Sequence, residues 1–259
     1  MPTADTDLRS PSGAAIAVAL AADRFEPFFQ PQISLTSGRL VGFEALARWQ
    51  LVDGVTLAPD AFLQAARASG HLGARILARA TQAFAAWDMQ DPLTLSVNVS
   101  GSDLERGSLV REVLAALAAT GLNPASLRVE LTEQEVLEDP ARAAATLAEL
   151  RAYGITVVLD DFGTGFSSLS WLARLPVDGI KIDKSFVAQV EVDPTAAKIV
   201  RALSGLAHDM GLDAIAEGVE TPGQQAFLIA HGCGFAQGRL YGLAVPGDEA
   251  SARVRPTAA

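Results

Sequence analysis

The sequence predicts an α/β fold, a (β/α) barrel in which the first pair of strands is irregular. Short apolar runs rich in β-branched residues, such as 155–159, alternate with helical stretches along most of the chain. Residues 28–35 and 40–49 are predicted strands separated by four residues, which can close an antiparallel hairpin but cannot hold a crossover. With 259 residues and 49% apolar content, the chain can bury one large core, as single-domain barrels do.

The first apolar segment, residues 13–22, resembles the core of a signal peptide. However, the residues before it include Asp5 and Asp7, and this acidic flank is wrong for export. We therefore predict an amphipathic entry helix, capped by Ser10 or Ser12.

The later elements follow in the order expected of repeated strand–helix units. Helices are predicted at 60–69, 72–88, about 108–120, 140–152, 194–210 and 222–231. Strands are predicted at 93–99, 127–131, 155–159, 179–182, 213–216 and 233–236. Gly154 and Gly211 each follow a predicted helix, where glycine is a natural C-terminal stop. We expect an entry segment over 1–24, the barrel over 25–246 and a tail over 247–259 that frays.

Composition restricts the classes of partner. The formal net charge of −10 argues against nonspecific binding to nucleic-acid polymers or to an anionic membrane. No stretch reaches the roughly 20 apolar residues that span a bilayer. The single cysteine, Cys233, excludes an internal disulfide and suits a reducing compartment. We expect a cytoplasmic domain without membrane contact of its own, although a parent protein can be anchored elsewhere.

Polar residues stand at the ends of seven successive predicted strands. In a (β/α) barrel the carboxyl ends of the strands form one rim, which carries the function. Read in order, these ends provide Glu44, Asn98, Glu130, the Asp160–Asp161 pair, Lys181, Glu217 and Gln237. Carboxylate and amide oxygens are hard ligands that suit Mg²⁺ or Mn²⁺ rather than zinc. Taken singly, the aspartate pair could cap the next helix and Lys181 could be a surface lysine, but seven coincident strand ends favour a site.

Other chemistries have weaker support in the sequence. The three histidines, His71, His208 and His231, show no metal-ligand spacing. Residues 165–168 do not make the G-x-S-x-G setting of a serine nucleophile, so covalent catalysis is disfavoured. Gly163 and Gly165 complete neither a dinucleotide fingerprint nor a Walker loop.

The motifs resemble those of the EAL-domain cyclic-di-GMP phosphodiesterases. The segment Glu44-Ala45-Leu46-Ala47-Arg48-Trp49 is similar to the family signature. The similarity continues through Asn98-Val99-Ser100, Glu130-Leu131-Thr132-Glu133, Asp160-Asp161-Phe162-Gly163-Thr164-Gly165, Lys181-Ile182-Asp183, Ala216-Glu217-Gly218-Val219-Glu220-Thr221 and Gln237-Gly238. Together these motifs cover roughly residues 28–242, and their joint specificity is high.

The resemblance implies a fold and an activity. The fold is an EAL-type (β/α)8 TIM-like barrel with an antiparallel first strand, and the reaction is cleavage of cyclic di-GMP to linear pGpG. The family uses two Mg²⁺ or Mn²⁺ ions per active site, and we expect Ca²⁺ to bind but inhibit because it prefers longer bonds and more ligands.

The resemblance also implies roles for particular residues. One metal ion is bound by Glu44, Asn98, Glu130 and Asp160, and the second is served by Asp161 and Glu217. Lys181 orients the attacking water, Glu217 is the general base, and Glu133 holds the loop after Asp161. The implied substrate contacts are Gln30, Arg48, Asp183, Glu220 and Gln237.

Some positions depart from the family pattern and leave the affinity for substrate open. They are Ala47, Gln64, Arg67, Arg239 and residues 243–245. Two other functions compete with the enzyme: a catalytically silent cyclic-di-GMP receptor, and a scaffold whose acidic rim binds a protein. Silent receptors usually lack metal ligands or the lysine, and here all are present.

The resemblance further predicts a homodimer and a longer parent protein. The apolar side chains expected at the two-fold interface are Phe166, Leu169, Trp171 and Leu172, although a buried core helix explains them nearly as well. A GGDEF, receiver or other sensory domain often accompanies a domain of this kind.

Overall fold

Eight strands close into a barrel in this computed structural model, which describes residues 12–67, 71–164 and 172–254. The strands are β1 (Phe25–Ser34), β2 (Leu40–Gln50), β3 (Thr56–Leu57), β4 (Thr94–Asn98), β5 (Leu127–Thr132), β6 (Thr156–Phe162), β7 (Gly179–Ile182), β8 (Asp213–Ala216) and β9 (Phe235–Gln237). Their order is β1-β9-β8-β7-β6-β5-β4-β2, and pairing of β1 with β2 closes the ring. The two-residue strand β3 extends the edge of β2 outside the ring.

The first strand runs against its neighbours. Strand β1 pairs antiparallel with both β2 and β9, whereas the remaining pairs within the ring are parallel. The four residues 36–39 are too few for a crossover, so the chain reverses there as the sequence predicted. The predicted (β/α) barrel with an antiparallel first strand is therefore confirmed.

The helices surround the barrel and cover its strands. They are α1 (Gly13–Ala21), α2 (Leu63–Arg67), α3 (Leu72–Ala85), α4 (Gly101–Glu105), α5 (Leu109–Thr120), α6 (Glu133–Glu138), α7 (Pro140–Ala152), α8 (Lys184–Val187), α9 (Pro194–Asp209), α10 (Pro222–Ala230) and α11 (Gly247–Ala252). The helix predicted at 60–69 is instead a 3₁₀ turn, Pro59–Ala61, followed by the short helix α2.

The segment after Pro246 does not fray as far as residue 254. Ala250 in α11 is fully buried, and Gly247 lies close enough to Phe29 that an added Cβ would be 3.2 Å from its ring. Just before α11, the backbones of Phe29 and Val245 exchange two hydrogen bonds of 2.7 and 3.1 Å. The prediction of a frayed tail overlooked this burial against β1 and is wrong for 247–252.

The entry helix begins where the sequence placed it, but its character differs. Ser12 Oγ accepts a hydrogen bond from Ala15 N, while Ser10 lies outside the described residues. Ile16 and Ala19 are buried, yet Val18 on the open side is 69% exposed. The helix is apolar on both sides, so the amphipathic prediction is wrong.

Two apolar clusters hold the described part of the fold together. The larger cluster joins the barrel strands to the surrounding helices. The smaller one joins α1 to the outer ends of β1 and β2 and to Phe62, α2 and α3; its buried members are Ile16, Ala19, Phe25, Trp49, Phe62, Ala66, Leu72 and Ile76. Parallel strands put their carboxyl ends at one edge, so the larger cluster supports the rim that carries the polar residues. Among the described helices, none has both the length and the apolarity that a membrane crossing requires.

Candidate active site

A buried lysine stands at the centre of the rim. Lys181 on β7 is fully buried, and its Nζ lies 2.6 Å from Glu217 Oε1 and 2.7 Å from Glu130 Oε2. Asp160 Oδ2 is 3.1 Å from Nζ, and Glu44 Oε2 is 3.4 Å away. Four strands or strand ends thus direct carboxylates at one ammonium. Because a buried charge is costly unless it is paired, the lysine and the carboxylates stabilise one another.

The electrostatics of this cluster follow from burial and close charges. Burial lowers the pKa of Lys181, but the neighbouring carboxylates, led by Asp160 and Glu130, outweigh it and hold that pKa well above its usual range. Burial raises the pKa of Glu130 and, more strongly, that of Glu217. At Glu44 burial acts in the same direction, but Lys181 and two amide donors outweigh it and lower the pKa.

Side-chain amides fix the orientation of the carboxylates. Gln237 Nε2 donates to Glu44 Oε2 at 2.5 Å and to Glu217 Oε1 at 3.0 Å. Asn98 Nδ2 donates to the other oxygen of Glu44 at 2.6 Å. Gln237 is itself held by Gln32, whose Nε2 donates to Gln237 Oε1 at 2.9 Å. Gln32 was not among the predicted site residues; the signal for it is its position two residues after Gln30, on the same face of strand β1.

The adjacent aspartates form a bend at the end of β6. The backbone N–H of Asp161 donates to Asp160 Oδ1 at 2.8 Å. Asp161 adopts φ +53°, a left-handed conformation that is unusual for a residue other than glycine and that aspartate tolerates better than most. Both side chains face the cavity above the rim. Burial and the charge of Asp160 raise the pKa of Asp161.

The carboxylates form two overlapping groups that fit metal ions. Glu44, Glu130 and Asp160 offer oxygens within 4.8 Å of one another, and so do Asp160, Asp161 and Glu217. Glu130 Oε1 is buried and has no hydrogen-bond partner, so it remains an unused acceptor. Oxygen donors of this kind suit a hard divalent cation. The structure brings all six sequence-predicted metal ligands together. Five of them are the carboxylates of these two groups, and the sixth, Asn98, donates a hydrogen bond to Glu44.

Glu133 lies next to this centre but outside it. It is the first residue of α6, is 3% exposed, and neither carboxylate oxygen has a hydrogen-bond partner. The loop that it is predicted to hold runs partly through 165–171, outside the described residues. Within the described part, Thr164 Oγ1 donates to Asp161 O at 2.8 Å. Anchoring of the loop by Glu133 therefore stays a prediction.

A cavity of about 560 Å³ opens above the carboxylates. Gln30, Arg48 and Gln237 line it, and their contact with a substrate stays a prediction. Gln30 Nε2 donates to Gly242 O at 3.2 Å, and Arg48 lies over the Phe28 ring, 5.5 Å from its centroid.

The other two predicted substrate contacts lie elsewhere. Asp183 caps α8, where its Oδ1 accepts from Ser185 N at 3.0 Å, and Glu220 is exposed beside Arg239. Neither residue is part of the cavity wall. Lys184 and Arg239 do line the cavity. Lys184, which follows Asp183, was not a predicted site residue, and Arg239 was predicted only as a departure from the family pattern.

Fold and site together define a class: a (β/α)8 barrel with a carboxylate-rich centre, built on one buried lysine, at the carboxyl ends of its strands. The chain belongs to the EAL domain family, whose pattern matches residues 14–244.

Similar proteins carry the same domain. The chain is 36% identical over 233 residues to the cyclic di-GMP phosphodiesterase NbdA of Pseudomonas aeruginosa, covering 88% of this chain and 30% of NbdA. It superposes with a TM-score of 0.87 and 33% identity on the PaMucR phosphodiesterase in complex with c-di-GMP, covering 92% and 98% of the two chains. For BlrP1 of Klebsiella pneumoniae, in a manganese and cyclic-di-GMP complex, the TM-score is 0.71 with 27% identity and coverage of 86% and 56%. The chain spans about a third of the length of the curated relatives it matches.

Proposed function

We propose that this chain is a phosphodiesterase that hydrolyses cyclic di-GMP to linear pGpG with two Mg²⁺ or Mn²⁺ ions. The observation that carries the proposal is the pair of three-carboxylate groups that share Asp160 around Lys181. The family and the activity named for its relatives support the same chemistry. Paired divalent ions, when bound, polarise a phosphate oxygen and make water a stronger acid.

The chain's own residues position the reactants. Glu44, Glu130, Asp160 and Asn98 would hold the first ion, and Asp160, Asp161 and Glu217 the second. Gln237 bridges Glu44 and Glu217 and so keeps the two groups in register.

Lys181 and Glu217 act on the water. Lys181 has three N–H bonds, and three carboxylates lie close enough to accept them. The lysine can therefore donate to a water only when one of these carboxylates gives up its N–H bond. We assign this release to Glu217, which borders the cavity. Glu217 takes one proton from the water while the oxygen of the water attacks the phosphorus, in line with the P–O3′ bond. The P–O3′ bond breaks as the oxygen of the water bonds to phosphorus, and the 3′-oxygen receives the proton that Glu217 took, which restores the carboxylate; the product is linear with a 5′-phosphate.

A silent receptor is the main competing function. It would need the cavity but not the complete ligand set or the buried lysine. Here four of the proposed ligands, Glu44, Glu130, Asp160 and Glu217, lie within 3.4 Å of Lys181, and Glu130 Oε1 remains an unused buried acceptor that a cation would satisfy. A protein-binding scaffold would likewise have no need of the Lys181 cluster, which is buried.

The proposal is tested by incubating the purified chain with cyclic di-GMP and Mg²⁺ or Mn²⁺ and separating the products by chromatography. We expect pGpG from the wild type and none from Glu44→Ala, which loses a ligand of the first ion. The matched control is Glu149→Ala, an exposed glutamate on α7, which should retain full turnover. Binding of cyclic di-GMP without pGpG at any metal concentration would favour the receptor instead.

The wider setting of the domain is also a proposal. We propose a homodimer, although Phe166, Leu169 and Trp171 lie outside the described residues and Leu172 is buried in the main core. The longer relatives support a parent protein with a GGDEF, receiver or other sensory domain. A cytoplasmic location fits the lone cysteine, which is buried and free.

A further inference from the structure

A cation on the cavity wall remains outside the carboxylate cluster. Arg239 lines the cavity, and its side chain is 70% exposed. Within the described part of the chain its ion pair is with Glu220 Oε1 at 3.8 Å, beyond hydrogen-bond length, and Glu220 is 54% exposed. Exposed pairs of this kind contribute little. The guanidinium donors of Arg239 are therefore available to a ligand.

The backbone that carries Arg239 is fixed. Val219 N donates to Gln237 O at 3.0 Å, and Leu240 N donates to Val219 O at 3.0 Å, so hydrogen bonds hold the residues around position 239. Gly238 has no room for a side chain, because a Cβ there would lie 2.2 Å from Val219 N. Arg239 thus starts from a rigid point two residues after Gln237, whose side chain contacts the carboxylate cluster.

The other cations near the centre are already engaged or differently placed. Lys181 is fully buried among carboxylates, and Arg48 lies over Phe28 and donates to Ala47 O. Lys184 is exposed at the start of α8, and its positive charge acts to lower the pKa of Asp161. A cyclic dinucleotide carries two phosphates, and the carboxylate centre with its metal ions accounts for only one of them.

We propose that Arg239 binds the phosphate of cyclic di-GMP that is not cleaved. This proposal rests on the phosphodiesterase function proposed above. The planar fork of a guanidinium matches two phosphate oxygens, and this phosphate keeps its charge in substrate, transition state and product. A contact made equally in all three states lowers KM without raising kcat. Arg239 is therefore a specificity residue rather than a catalytic one.

The test measures the Kd of cyclic di-GMP by calorimetry with Ca²⁺ present, and KM and kcat with Mn²⁺. We expect Arg239→Ala to raise Kd and KM about tenfold while kcat changes less than twofold. Arg239→Lys should recover part of the affinity because it keeps the charge, whereas Arg239→Tyr should not. The matched control is Arg39→Ala, an exposed, ion-paired arginine in the β1–β2 hairpin, which should behave as wild type.

Other results would overturn the proposal. Unchanged Kd and KM in Arg239→Ala would show that the side chain does not contact substrate. Wild-type affinity in Arg239→Tyr would indicate stacking on a guanine base instead of phosphate binding. A wild type that binds but does not hydrolyse refutes the phosphodiesterase function while the Kd series still tests Arg239. A wild type that does not bind cyclic di-GMP overturns both.

Discussion

Lys181 Nζ lies 2.7 Å from Glu130 Oε2, and both side chains are fully buried. The lysine neutralises one oxygen of this carboxylate and leaves the other, Oε1, without a partner. Lys181 thereby holds the acidic centre together in the absence of a metal ion while leaving acceptors for one. The same lysine that we propose orients the attacking water is thus a structural counter-ion.

Lys181→Met should separate these two roles. The change leaves several buried carboxylates without their cation, and removing one partner of a buried ion pair costs about 3–5 kcal/mol. We expect a lower urea midpoint without metal, partial recovery with Mn²⁺, and turnover reduced more than 100-fold. Chemical unfolding with and without Mn²⁺ measures the first two effects. If the urea midpoint of Lys181→Met equals that of wild type and does not change with Mn²⁺, the assignment of Lys181 as counter-ion is contradicted.

Asp161→Asn tests whether the bend after β6 serves chemistry. Asparagine tolerates the left-handed conformation at φ +53° as well as aspartate does, so the fold should survive with little change in Tm. Loss of the carboxylate should weaken the second metal site and lower kcat at least tenfold, a barrier increase of about 1.4 kcal/mol or more. Near-normal kcat at low Mn²⁺ would show that Asp161 is not a ligand.

Much of this architecture could be predicted from the sequence because the barrel strands are strongly apolar runs. Each strand of the ring was anticipated to within a few residues at either end. The unpredicted elements are short: α4, α6, α8 and α11 have four to six residues each. Local caps set α4 and α6, through Ser100 with Asp103 and Thr132 with Glu135, and such caps give little periodic signal.

The site was predictable where strand ends carry the residues and less so where loops do. Glu44, Glu130 and Lys181 follow from strand position, whereas Gln32 looks like any polar strand residue until its contact with Gln237 is seen. Asp183 shows a structural use that its motif did not indicate. Its carboxylate caps a helix, which only the fold reveals, and its contact with substrate stays a prediction.

Glu133→Ala should affect the loop after Asp161 rather than the global fold. Both Glu133 oxygens are buried without a partner, and burying an unpaired polar group is unfavourable. Its removal should therefore leave the Tm equal or higher. If Glu133 holds the loop that follows Asp161, as the family pattern implies, turnover should fall at least tenfold because that loop would lose its anchor. Turnover within about twofold of wild type, a barrier change under 0.5 kcal/mol, would contradict the anchoring role.

Cys233 should make stability depend on alkaline pH. Burial raises the pKa of its thiol from 9.0 to about 12 in the folded chain. Because the folded pKa is the higher one, the contribution of the neutral thiol to stability is complete below about pH 9 and is lost as pH rises toward 12. Between pH 8 and 10 the free energy of unfolding of the wild type should fall by about 1 kcal/mol relative to that of Cys233→Ala, as measured by urea unfolding. Parallel pH profiles for the two proteins would show that the thiolate is not disfavoured by folding.

The metal requirement of the reaction tests the central claim most directly. The measurement is the initial rate of pGpG formation from cyclic di-GMP, in wild type and Asp160→Asn, as Mn²⁺ is raised after chelation. Because Asp160 belongs to both carboxylate groups, we expect no rate without metal, activity with Mn²⁺ or Mg²⁺, inhibition by Ca²⁺, and loss of activity in Asp160→Asn at every Mn²⁺ concentration. Turnover in excess chelator, or an Asp160→Asn variant as active as wild type, would contradict a two-ion centre that shares this aspartate.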